Sequence, residues 1–195
     1  MALSRSNRDL TGTVATVIQL DLRDLHEVHP MTANVLGSYS EAAAVTLEQF
    51  HEPKPRECTV TYRGEAQPAW LTWHPATEIS RATHGSATDA KEAGAYAVAI
   101  ATAHALQGWR ARGRAHDGSG ADVILTHPDR PPENFVKMEV SGVAPGKGEA
   151  HEVKELRRRL NEKIKQLGRG NLDLPGLAIV VGFETAQVHV VEPSK

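Results

Sequence analysis

The 195 residues contain one cysteine, Cys58. No intrachain disulfide can form, so a disulfide framework and a zinc ribbon are both excluded. No apolar run approaches the ~20 residues that a helix needs to cross a bilayer. The N-terminal MALSRSNRDLTGT lacks the apolar stretch of a secretory signal. These absences lead us to expect a cytoplasmic protein with no membrane partner. Internal repeats and low-complexity tracts are also missing. So is any excess of charge. Lys+Arg number 22 and Asp+Glu 24, for a net charge of −2, which does not by itself advertise nucleic acid. The balance is uneven, however. Residues 1–85 carry 7 basic and 10 acidic side chains, and residues 86–195 carry 15 and 14. What remains is ordinary globular composition, 40% hydrophobic and 24% charged, at a length that suits one domain with a small extension.

Periodicity divides the chain into a short N-terminal unit and a longer C-terminal one. Thr13 to Leu22 reads as a strand. Thr32 to Phe50 reads as a helix, with Val35, Leu36, Tyr39, Ala43, Leu47 and Phe50 at spacings of three and four. Pro53 and Pro55 stop it. CTVTYRGEAQPAWLTW reads as a hairpin turning near Arg63-Gly64-Glu65. The stretch HPATEISRATHGSAT is polar and unpatterned, and reads as a linker. Beyond it, Asp89 to Leu106 is an Ala-rich helix that stops near Gly108. Three short strands follow, at Trp109–Ala115, Ala121–His127 and Asn134–Ser141. A basic helix runs from Glu149 to Leu167, with Val153, Leu156, Leu160, Ile164 and Leu167 as its core stripe. LAIVVGF (Leu177–Phe183) is a strand of the kind buried on both faces, and Gln187–Val191 can add one more. The expected fold is therefore α/β. Residues 1–80 form an N-terminal β-α-β-β accessory region and residues 81–195 form the core. The aromatics Tyr62, Trp70 and Trp73 are more than a small β-α-β-β unit hides. That region should thus pack on the core or on a second subunit.

Chemistry concentrates in the second hairpin. A turn centred on PDRPPE pairs His127 with Asn134 and so sets Asp122 across from Glu139. Opposed residues have Cβ atoms about 4.5–5.5 Å apart, and like charges there repel unless something compensates. A divalent cation with oxygen ligands would compensate. Strand alternation puts Val123, Leu125, Val136, Met138 and Val140 on one face, and Asp122, Lys137, Glu139 and Ser141 on the other. A solvated polar sheet face carrying weak ion pairs is the competing reading.

The order helix, three-stranded meander, helix, strand resembles the core of the PD-(D/E)XK, or restriction-endonuclease-like, nuclease superfamily. GSGADVIL, KMEVS and LPGLAIVVGF also look like uncharacterised bacterial members of it. The resemblance covers about Asp89 to Val191. It implies that Asp122 and Glu139 bind Mg²⁺, or Mn²⁺ in its place, and that Glu92 on the first core helix completes the site. The family places a lysine two residues after the second acid. Here that position is Ser141, and Lys137, two residues before Glu139, is the candidate substitute. The literal Pro128-Asp129 falls in the turn and is rejected as a ligand. Glu92 has a second reading as a helix-capping residue with Asp89 as N-cap.

Arg110, Arg112 and Arg114 alternate along one strand, so they would share a face and could hold phosphates. The stretch HEVKELRRRLNEKIKQLGRG, with seven Lys+Arg against three Glu, could track a nucleic-acid backbone. Salt-bridged, solvated surfaces explain both equally simply. Gly142 to Gly148 is one residue short of a phosphate loop and lacks its hydroxyl. The function expected is a metal-dependent nuclease hydrolysing phosphodiester bonds, with DNA as the substrate. The N-terminal region would serve recognition, homodimerisation or both. The alternative is a catalytically inactive module on the same fold that binds nucleic acid or a protein.

Overall fold

The computed structural model describes residues 17–131, 133–144, 146–169 and 172–193. Eight strands form one mixed sheet flanked by five helices. In chain order these are β1 (Ile18–Asp21), α1 (Leu25–Val28), α2 (Ala33–Leu47), β2 (Arg56–Tyr62), β3 (Glu65–Thr72), α3 (Glu78–Thr83) and α4 (Ala87–Gln107). Then come β4 (Arg110–Arg114), β5 (Val123–Thr126), β6 (Val136–Val143), α5 (Glu149–Arg169), β7 (Gly176–Gly182) and β8 (Gln187–Val191). The spatial order is β1-β3-β2-β8-β7-β6-β5-β4. β1 and β3, β2 and β8, and β6 and β7 pair parallel; the other neighbours are antiparallel.

Local chemistry accounts for several element boundaries. Arg63 and Gly64 both take positive φ, the conformation that closes a two-residue hairpin. Gly108 ends α4 in the left-handed region. Two helices were not expected. α1 has only four residues, too short for a periodic signal. α3 lies in the stretch read as a linker, where Thr77 and Ser80 form a capping box that starts it. The first residues of the expected Thr13–Leu22 strand lie outside the described residues.

The strands of residues 1–80 join the same sheet as those of 81–195, through the parallel pairing of β2 with β8, Thr59 opposite Gln187 to Tyr62 opposite Val190. Leu20, Val60, Leu71 and Trp73 lie in one core with Ile100, Leu125, Ile179 and Val190. α4 lies on one face of this sheet, against β1, β4, β6 and β7, and α2 packs along α4. The contact is close because small residues meet there. A Cβ on Gly94 would sit 2.7 Å from Ala43 Cα, and one on Gly142 would sit 2.6 Å from the Lys91 carbonyl oxygen. α5 covers the opposite face over β6, β7 and β8. β6 is therefore buried on both sides along its whole length, and its polar residues lie under a helix rather than in solvent. Among the described residues no helix is long and apolar enough to cross a membrane.

Candidate functional site

The register of β5 and β6 is the one the hairpin pattern implies: Val123 opposes Met138, Ile124 opposes Lys137, and Leu125 opposes Val136. Asp122 immediately precedes β5, after a turn in which Gly118 and Gly120 take positive φ. Its amide donates to the Met138 carbonyl at 2.8 Å. Its side chain extends the ladder where β5 stops. Asp122 Oδ2 accepts from the Val140 amide at 2.8 Å, so the carboxylate satisfies a strand N–H. Tyr96, on α4, donates its hydroxyl to Asp122 Oδ1 at 3.2 Å.

A lysine of α5 binds both acids. Lys163 Nζ donates to Glu139 Oε2 at 2.6 Å and to Asp122 Oδ2 at 3.3 Å. Glu139 is only 6% exposed. Burial pushes its carboxyl above the ordinary carboxylate value, the Lys163 ammonium partly offsets this, and the neighbouring Asp122 carboxylate adds to it. Burial also raises the Tyr96 phenol, and the Asp122 charge raises it further. The Arg114 guanidinium stacks over the Tyr96 ring, 4.2 Å from its centroid. The result is one cluster drawn from both faces of the sheet: Tyr96 and Arg114 from the α4 side, Lys163 from the α5 side, with Asp122 between them and Glu139 beneath.

The other residues singled out in the sequence are placed as follows. Lys137 lies on the α5 face of β6, but its ammonium turns away from Glu139. Its Nζ donates to the carbonyls of Leu167 at 2.8 Å and Leu172 at 2.7 Å. The Leu167 carbonyl lies in the last turn of α5, where carbonyls lack helical partners, and Leu172 follows the helix; the Lys137 ammonium satisfies both. Ser141 is buried, two residues beyond Glu139 on the same face. Glu92 is exposed on α4, and no described contact joins it to the acidic pair. The helix cap is Ser86, whose side chain accepts from the Asp89 amide, so Asp89 is not the N-cap.

The three arginines do not share a face. A bulge between Ala111 and Gly113 shifts the register, leaving Arg112 as the extra residue on β4. Arg114 opposes Val123 beside the acids, whereas Arg110 opposes Thr126 at the other end of β5. Arg112 stacks on Phe135.

Lys163 is the residue that sequence reasoning missed. A signal for it existed. Leu156, Leu160, Lys163 and Leu167 follow the spacing of the buried stripe of α5, so this lysine sits where an apolar residue belongs. A long charged side chain there needs a buried acceptor, and the acids of β5 and β6 supply it.

Hard carboxylate oxygens, one from the residue before β5 and one from β6, suit Mg²⁺ or Mn²⁺. A cation already sits where they converge, in the form of the Lys163 ammonium. Asp122 and Lys163 are both partly open to solvent. A divalent ion would meet the Asp122 and Glu139 oxygens only if the Lys163 ammonium gave up this position. Asp24, His26 and Glu27 also bring their ligand atoms within 4.8 Å of one another, but all three are exposed, and exposed groups this close need no ion. Comparison with protein-family models, with curated proteins and with solved structures finds no match to this chain.

Proposed function

We propose that the protein is a metal-dependent nuclease of the restriction-endonuclease-like type, hydrolysing phosphodiester bonds of DNA. The observation that carries this reading is the convergence of Asp122, Glu139 and Lys163 at one point of the sheet. The chain order α4, β4 to β6, α5, β7 supports it, because α5 joins β6 to the parallel neighbour β7. Asp122 and Glu139 would hold Mg²⁺ or Mn²⁺. When bound, the ion lowers the pKa of water and offsets charge on the scissile phosphate.

The chain's own residues have separate tasks. The Val140 amide and the Tyr96 hydroxyl fix both oxygens of Asp122, so this carboxylate is preorganised. Lys163, bonded to Glu139, would take the role that the resemblance suggested for Lys137. Its ammonium orients a water or an oxyanion beside Glu139. Arg114, exposed and close to Asp122, is the arginine placed to meet a phosphate.

One observation favours the second reading, an inactive module on the same fold. Lys163 occupies the point between the carboxylates, and an ammonium held there permanently is a structural ion triad. Calorimetric titration with Mg²⁺ and Mn²⁺ tests the metal. Binding by the wild type, lost in the Asp122→Asn, Glu139→Gln double variant, supports the nuclease reading. Absence of binding by the wild type leaves the ion triad as the account of these residues.

A further inference from the structure

A cavity of about 400 Å³ lies at the far end of β5, where its lining includes His26, Glu27, His29, Arg110, Thr126 and His127. It is roughly 13 Å from Asp122 along the strand, at 3.3 Å per residue. Arg110 is partly buried, and its Nε is shielded from solvent with no hydrogen-bond partner. None of the ion pairs among the described residues involves its guanidinium. Unpaired, half-buried arginine is uncommon, because the group brings five donors and a fixed charge.

The neighbouring histidines do not neutralise it. His29 is buried, and its Nδ1 accepts from the Ala111 amide at 3.1 Å. The proton of the neutral ring must therefore sit on Nε2, which makes His29 a donor and not a metal ligand. Burial, and then the charges of His104 and Arg110, push the His29 imidazolium down to about 4. His104 packs edge-on against His29, with ring centroids 5.5 Å apart and its own Nδ1 buried without a partner. His127 forms wall only, since Nε2 pairs with the Gln107 carbonyl at 3.0 Å and Nδ1 accepts from the Asp129 amide at 3.1 Å. Glu27 is the one carboxylate on the lining, and it lies close to His26. Arg110 thus remains the cation without an anion.

We propose that this cavity binds a phosphate monoester carried on a hydroxylated body. Arg110 takes the phosphate through its planar fork, and Glu27 accepts from a hydroxyl of the body. The volume matches small-ligand sites and exceeds what a bare phosphate fills. This site is separate from Asp122 and Glu139 and does not rest on the nuclease reading.

Calorimetry in metal-free buffer containing a chelator tests it, with ribose 5-phosphate as the probe. Inorganic phosphate, ribose and gluconate are the comparisons. Ribose 5-phosphate should bind more tightly than phosphate, and ribose should not bind. Arg110→Gln should weaken ribose 5-phosphate at least about tenfold, and Arg110→Lys should restore part of that. The Asp122→Asn, Glu139→Gln variant should bind like the wild type. Circular dichroism establishes that each variant is folded. No heat from ribose 5-phosphate at ~5 mM, undiminished binding by folded Arg110→Gln, or loss of binding in the acid variant instead would each overturn the proposal. Gluconate binding as tightly as ribose 5-phosphate would overturn the phosphate assignment.

Discussion

Replacing Lys163 by Met removes the ammonium from two carboxylates and keeps the length of the side chain. The side chains of Lys163, Asp122 and Glu139 are 17%, 20% and 7% exposed. Exposed ion pairs contribute ~0.2–1 kcal/mol, whereas removing one partner of a buried pair costs ~3–5 kcal/mol. This cluster is mostly buried, with one edge open, so we expect a loss near the low end, about 3 kcal/mol. In a domain of this size each kcal/mol lowers Tm by about 2–4 °C, giving a drop of roughly 6–12 °C near neutral pH.

The loss should depend on pH, with a definite sign. Glu139 titrates above the ordinary carboxylate value in the folded state. In that window the folded chain holds a proton that the unfolded chain has released, so stability falls as pH rises through it. Lys163 opposes this shift. Without it the Glu139 carboxyl moves higher still, and the difference between wild type and variant widens as pH rises from about 5 to about 8. Thermal unfolding at both pH values by circular dichroism measures it. A Tm for Lys163→Met within about 1 °C of wild type near pH 8, or an equal deficit at both pH values, would refute the reasoning.

One further substitution and one reagent probe the surroundings. Lys137→Met strips the Leu167 and Leu172 carbonyls of their donor, and should cost ~1–3 kcal/mol in urea unfolding. It should leave Mg²⁺ binding unchanged, because Lys137 faces the end of α5 and not the acids. Cys58 is buried and its thiol is pushed up to about 12. It should therefore resist a thiol-specific reagent near pH 8 in the native protein and react once the chain is unfolded.

The strands and long helices were legible because their patterns are local. The hairpin register followed from the turn and from which face had to be apolar, and Val123 opposite Met138 agrees with it. What escaped depended on the third dimension. Alternation alone put Lys137 and Glu139 on one face, but it could not show that α5 ends over Lys137 and passes Lys163 over Glu139. The shared face of Arg110, Arg112 and Arg114 assumed an unbroken strand, and one bulge at Arg112 undid it. α3 was hidden because Glu78 to Thr83 carries no apolar stripe, its only large apolar residue, Ile79, being exposed. The Thr77 and Ser80 pair was its one signature. Joining residues 1–80 to the main sheet required the pairing of β2 with β8, elements far apart in sequence.

The central claim, that Asp122 and Glu139 form a nuclease site served by Lys163, is tested most directly by cleavage of end-labelled single- and double-stranded DNA with Mg²⁺ and with Mn²⁺. RNA is run alongside as a comparison. We predict metal-dependent cleavage of DNA by the wild type and none by Asp122→Asn, Glu139→Gln. Lys163→Met should show a rate at least about tenfold lower, the low end of what a positioned acid–base group contributes. An intact DNA substrate with the folded wild-type protein under every one of these conditions would contradict the claim.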